Sequence, residues 1–94
     1  MRIIELDAST WSSTDDFFAA LLAALGSPGW HGYNLNALWD SITSDINEVE
    51  PPFSIVVERA DRSDRDMMAL LKAASAVFAD AQVKRGIDVQ FTVA

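Results

Sequence analysis

Residues 30–40 read Trp30-His31-Gly32-Tyr33-Asn34-Leu35-Asn36-Ala37-Leu38-Trp39-Asp40, and no other run in the chain is as informative. If a helix begins after Asn34, its residues separate into two faces at roughly 100° per residue. The apolar face carries Leu35, Leu38, Ile42 and Ile46. The polar face carries Asn36, Asp40, Thr43 and Asn47. The pattern predicts an amphipathic helix with one side in a core and an acidic side in solvent.

Large aromatic side chains border the predicted acidic face. Trp30, His31 and Tyr33 fall in a predicted loop over residues 27–33, directly before the helix. Aromatic anchors around a charged centre are typical of tight protein–protein interfaces. We therefore interpret this loop and helix as a candidate partner-binding surface. Trp39 lies at the edge of the apolar face, so a structural role and a role in the interface both stay open for it.

The negative charge is concentrated in one part of the chain, whose formal net charge is -7. No Lys or Arg occurs between Ile3 and Glu58, whereas nine carboxylates do. The rest of the chain holds all seven basic residues against five carboxylates. Phosphate binding requires clusters of Lys and Arg, so nucleic acid is excluded as the expected ligand. A cationic partner fits better, although acidity alone also serves solubility.

Composition predicts one domain over residues 1–94, since half of the 94 residues are hydrophobic and can form a single core. The sequence has no Cys, which excludes disulfides and thiolate nucleophiles and suits a reducing compartment. We therefore expect a cytoplasmic protein. No stretch approaches the ~20 apolar residues that cross a bilayer, so no membrane segment is expected.

Capping patterns place three helices. Ser13 with Asp16, and Ser63 with Asp66, resemble capping boxes, and Asn34 can cap the second helix. Gly26, Pro51 and Gly86 supply stop signals. The predicted helices end before Gly26, at about Asn47 and before Gly86.

Three segments have strand character, namely Arg2 to Asp7, Phe53 to Glu58 and Ile87 to Val93. Strands separated by helices predict an α/β fold with a small three-stranded parallel sheet in β-α-α-β-α-β order. The last strand alternates apolar and polar residues, so we expect the helices mainly on one face of the sheet. The predicted core comprises Leu35, Leu38, Ile42, Leu70, Leu71, Val77, Phe78, Ile55, Val57, Val89 and Phe91.

The order of elements and the run quoted above resemble one known family. The residues that match its signature YGENLDALWD are Gly32, Asn34, Leu35, Ala37, Leu38, Trp39 and Asp40. On these grounds the chain resembles the barstar family over nearly its whole length. The resemblance implies a barnase-inhibitor-like fold without enzymatic activity or cofactor. It also implies a partner that is a secreted, basic guanyl-type ribonuclease or a related toxin nuclease.

The resemblance further implies which residues contact that nuclease. Asp40 matches the acidic residue that occupies the phosphate site of the nuclease. Trp30 stands where the family has a tyrosine on the binding loop, and Asp80 on the long helix aligns with a second acidic contact. The other positions along this surface are His31, Gly32, Asn34, Leu35, Asn36, Trp39, Thr43 and Ser44. Asn36 replaces an acidic residue of the family, and Asp45 replaces an aromatic one, which puts the identity of the nuclease in question.

Two other classes of function compete with inhibition, namely an enzyme and an interaction module. An enzyme could pair His31 with Asp40, but no nearby Lys or Arg would stabilise a phosphoryl transition state. Carboxylates such as Asp40, Asp45 and Glu48 follow no known metal-ligand spacing, so no metal is expected. An interaction or immunity module with an unrelated partner stays open, because a fold does not specify what its surface binds. We expect a monomer when the protein is free, since the acidic face repels its own copy.

Overall fold

Three parallel strands form one sheet, in which they lie side by side in the order in which they occur in the sequence. The computed structural model describes residues 2–26, 32–44 and 49–94, apart from the side chain of Arg62. The strands are β1 (Arg2–Asp7), β2 (Phe53–Glu58) and β3 (Val89–Val93). The helices are α1 (Thr14–Leu25), α2 (Leu35–Thr43) and α3 (Arg65–Arg85). The predicted α/β class and the β-α-α-β-α-β order are confirmed.

The two faces of the sheet differ in burial, as the alternation in β3 predicts. Ile4 in β1 pairs with Ile55 in β2, which pairs with Phe91 in β3, and this row lies on the covered face. The next row, which includes Glu5 and Thr92, lies on the other face and is largely exposed. The helices therefore cover one face, and the second face is open.

Aromatic rings connect the helices to the covered face of the sheet. The ring of Phe91 stacks on Phe78 of α3 at a centroid distance of 5.2 Å. It also meets Phe17 of α1 edge to face, at 6.2 Å. Phe17 and Phe78 are almost completely buried. These contacts hold α1 and α3 in one layer above β3.

The predicted core is right at its centre and wrong at its margins. Burial is confirmed for Leu38, Ile42, Leu71, Phe78, Ile55, Val57 and Val89. The residues that are only half-buried, contrary to expectation, are Leu35, Leu70, Val77 and Phe91. The largest omission is α1, whose apolar face contributes five buried side chains: Phe17, Phe18, Leu21, Leu22 and Leu25. Phe17 on this face packs edge to face on Phe91 of β3, so the sheet covers part of α1.

The first capping box is confirmed. The hydroxyl of Ser13 accepts the backbone N–H of Asp16, and the Asp16 carboxylate accepts the backbone N–H of Ser13. The backbone N–H of Ser12 also donates to that carboxylate, and this hydrogen bond is the main reason that the pKa of Asp16 lies below its usual value. Gly26 ends α1 in the left-handed conformation, at φ 68°.

The second predicted capping box, Ser63 with Asp66, is wrong by one residue. The cap of α3 is Asp64, whose carboxylate accepts the backbone N–H of Met67 at 2.8 Å. A charged carboxylate is a stronger acceptor than a hydroxyl. Ser63 instead ends a short 3-10 turn over Ala60–Arg62, where its N–H donates to the carbonyl of Ala60.

The ends of two other elements also differ from expectation. α2 ends at Thr43, and the predicted continuation to about Asn47 falls on residues 45–48, outside the described ranges. β3 begins at Val89 instead of Ile87. The backbone N–H of Val89 donates a hydrogen bond to the carbonyl of Ile87, so the chain makes a tight turn there before the strand begins. In the described part of the chain, no helix is long and apolar enough to cross a membrane.

Candidate functional site

The start of α2 is built by Asn34 and Gly32. The side-chain oxygen of Asn34 accepts the backbone N–H of Ala37 at 2.8 Å, which satisfies one of the free N–H groups of the first turn. Gly32 lies against this cap, since a Cβ added at Gly32 would lie 2.9 Å from the side-chain nitrogen of Asn34. The next atom, the Cβ of Ala37, would be 4.0 Å away, an ordinary contact. Gly32 and Asn34 therefore set where the helix begins and how it is held.

We expect Asn34→Ala to destabilise the protein by about 0.5 to 2 kcal/mol, because it removes the side-chain oxygen that caps α2. Gly32→Ala should cost less, because its methyl group displaces only the side-chain nitrogen at the far end of Asn34. The double variant should therefore cost less than the sum of the two single variants. Urea unfolding of all three variants measures these free energies. Additive costs would show that Gly32 acts independently of the cap.

One side of α2 is buried, which orients the other side outward. Leu38 has no exposed surface, and Ser41 and Ile42 are also buried. Asn36 and Asp40 are exposed and lie one helical turn apart, so their side chains share a face. Within the described part of the chain, Asp40 makes no ion pair; the pairs there join Arg59 to Asp7 and Glu58, and Lys84 to Asp80. The carboxylate of Asp40 is thus presented to solvent on a fixed backbone.

Two half-buried side chains, Trp39 and Thr43, lie beside this face. Trp39 is half-buried and packs against the core, so it has a structural role while part of its ring stays accessible. The hydroxyl of Thr43 donates to the carbonyl of Trp39 at 2.7 Å. Ser44 follows as the exposed C-cap, and its N–H donates to the carbonyl of Asp40 at 2.9 Å. These two hydrogen bonds hold the backbone around Asp40 in helical form as far as the end of α2.

The aromatic border of the site is described in part. Tyr33 is 51% exposed, as expected for the loop before α2. Sequence reasoning noted Tyr33 in the loop but did not count it among the contacting positions. Trp30 and His31, together with Asp45, lie outside the described residues.

A family model described as barstar (barnase inhibitor) matches residues 1–94, the whole chain. The chain belongs to the barstar family. A search of curated proteins returned no match. Barstar-family proteins are inhibitors of barnase-type ribonucleases and not enzymes, so ribonuclease inhibition is the function that family membership supports.

Asp80, the second acidic position suggested by the barstar resemblance, differs in its surroundings from Asp40. It is exposed on α3, and its carboxylate lies 3.8 Å from the ammonium of Lys84, one turn later in the same helix. Such an exposed pair is weak, typically below about 1 kcal/mol, but it offsets part of the negative charge. α3 packs on α2, so both carboxylates belong to adjacent helices. Of the two carboxylates, only Asp80 has a cation beside it among the described residues.

Proposed function

We propose that this chain inhibits a basic guanyl-type ribonuclease by inserting the exposed face of α2 into the active site. The observation that carries the proposal is the placement of Asp40. Its carboxylate is exposed and makes no ion pair among the described residues, on a helix whose opposite side, at Leu38, is completely buried. In this proposal the carboxylate occupies the position of a substrate phosphate and pairs with the cations that bind it.

A fixed carboxylate suits this role for two reasons. The helix is held at its start by the Asn34 cap and along its length by the core, so little freedom is lost when the partner binds. The carboxylate is hydrated in the free protein and is desolvated only in the complex, where cations compensate it. Much of the binding energy would therefore lie at Asp40, since a few residues carry most of the binding energy in protein interfaces.

The surrounding residues would form the rest of the interface. Asn36 and Ser44 are exposed, and Trp39 and Thr43 are half-buried beside them. We place the loop residues Trp30, His31 and Gly32, the helix-start residues Asn34 and Leu35, and Asp80 of α3 at its border. The concentration of carboxylates before Glu58 would also attract a basic partner at long range.

A second candidate function is an immunity or interaction module for a toxin nuclease or an unrelated partner. Asn36 favours this alternative, because the barstar resemblance places an acidic residue there and the exposed side chain is uncharged. Losing one charge beside Asp40 changes the balance between competing partners, since specificity is a difference of affinities.

The proposal is tested by RNA cleavage assays with barnase and with the protein alone. We expect stoichiometric inhibition of barnase whose onset slows as the substrate concentration is raised, because substrate and inhibitor would compete for one site. An onset rate that does not depend on the substrate concentration would contradict binding at the active site. Full barnase activity in excess protein would favour the second candidate, and RNA cleavage by the protein alone would contradict both.

A further inference from the structure

A depression with a volume of about 350 Å³ lies where α1, α2 and α3 meet. Its lining residues are Thr14, Phe18, Tyr33, Asn34, Leu35, Asn36 and Leu70. Phe18 forms a buried base, and Leu35 and Leu70 are half-buried side chains that the helical periodicity predicts to be in the core. No residue of the lining is charged. The depression is therefore an apolar site with a polar border, the form that receives an anchoring side chain in protein interfaces.

This pocket is continuous with the surface proposed to bind the ribonuclease. Asn36 forms part of its lining, and Asp40 lies one turn further along the same face of α2. Side chains four residues apart on a helix have Cβ atoms about 6 Å apart. A protein that covers Asp40 therefore also approaches the mouth of the pocket. On its other side the pocket reaches Thr14 of α1 and Leu70 of α3. The barstar resemblance includes neither residue among those that contact the nuclease.

We propose that the pocket binds one uncharged, apolar side chain of the ribonuclease, located beside the cationic centre that pairs with Asp40. This inference rests on the proposed function. Charge divides the two subsites. The Asp40 carboxylate makes no ion pair among the described residues, whereas no residue of the pocket lining is charged, so cations of the partner bind at Asp40 and not in the pocket. The uncharged pocket cannot compensate a desolvated cation, but covering its apolar walls is favourable. Tyr33, which is 51% exposed at the border, would be covered in the same step.

The pocket also accounts for the half-burial of Leu35 and Leu70. A core position would be closed by its neighbours, whereas these two side chains each pack on the core and contribute a wall to the depression. An occupied pocket would complete their burial. The ribonuclease would then contact all three helices. The contacts with α1 and α3 would strengthen binding mainly by slowing dissociation of the complex.

Three variants test the pocket against barnase. Leu70→Ser removes one apolar wall, and Thr14→Trp adds a large side chain at the border. Val83→Ser is the matched control, because Val83 is on the same helix, 82% exposed and outside the pocket lining. We expect each pocket variant to weaken inhibition at least about tenfold, mainly through faster dissociation, and Val83→Ser to have no effect. Thermal unfolding confirms that each variant is folded at the assay temperature.

A second measurement, by NMR, detects contact between the ribonuclease and the pocket directly. Cross-saturation from barnase to the methyl groups of the wild-type protein should reach Thr14 and Leu70 and should not reach Val83. Absence of saturation at Thr14 and Leu70, or unchanged inhibition by both pocket variants, would overturn the pocket proposal. If Asp40→Ala weakens inhibition in the same assays, the proposed function stands although the pocket proposal has failed. If wild-type protein leaves barnase fully active, the proposed function itself fails, and the pocket proposal fails with it.

Discussion

Asp40→Ala should weaken inhibition of barnase by between about 30-fold and a few thousand-fold. Truncating one partner of a buried charge pair typically costs about 2 to 5 kcal/mol, because the partner's cations are left desolvated and uncompensated. Complexes of barnase and barstar are among those on which this range rests. The variant should fold normally, since Asp40 is exposed and makes no ion pair among the described residues. Inhibition titrations paired with thermal unfolding measure the two effects separately.

A matched pair of conservative variants isolates the position of the charge. Asp40→Asn removes the charge and keeps the shape, and Glu5→Gln removes one carboxylate from the open face of the sheet. Both change the net charge equally, so a large loss for Asp40→Asn alone would identify the local pairing. Asn36→Ala should have a small effect, because its side chain is uncharged. If Asp40→Ala inhibits as well as the wild type, the binding surface has been assigned to the wrong place.

Leu38→Ala should destabilise the fold by about 2 to 5 kcal/mol, through lost burial and the cavity that remains. Leu38 has no exposed surface, and it holds α2 on the core directly beneath the face that carries Asp40. A domain of this size is stabilised by only about 5 to 15 kcal/mol in total. The melting temperature should fall by roughly 4 to 8 °C for each kcal/mol lost. Thermal unfolding at several urea concentrations would measure the change.

Leu35→Ala is the control for this prediction. Leu35 is on the same helix but only half-buried at the pocket, so its truncation should cost clearly less than that of Leu38. An unchanged melting temperature for Leu38→Ala would mean that the two faces of α2 had been reversed. At temperatures where Leu38→Ala remains folded, its inhibition of barnase should match that of the wild type, because its side chain does not reach the surface.

Local patterns in the sequence were sufficient for the elements and for the orientation of α2. The Asn34 cap and the period of Leu38, Ile42 and Asp40 predict both the start of the helix and its exposed side, and the structure confirms both. The alternation in β3 predicts the open face of the sheet. These features depend on hydrogen bonds within one turn and on the spacing of apolar residues. Both can be recognised from a short stretch of sequence.

The sequence alone does not predict which of two neighbouring residues caps the start of α3. Ser63 and Asp64 can each cap a helix, and only the arrangement of the preceding 3-10 turn assigns the cap to Asp64. The family signature predicts which residues of α2 matter, but it includes nothing from α1. Sequence reasoning therefore gave no signal for Thr14 or Phe18 as neighbours of the candidate surface.

The sequence by itself determined the order of elements, the one-sided acidity and the outward position of Asp40. Only the tertiary structure decided how far each apolar residue is buried. Leu70 and Leu71 are adjacent in α3 and alike in chemistry, yet Leu71 is completely buried and Leu70 forms a wall of the pocket. The periodicity of a helix indicates the direction in which a side chain points. Whether a neighbouring element closes over that side chain depends on how α1, α2 and α3 pack together, and no local pattern encodes that packing.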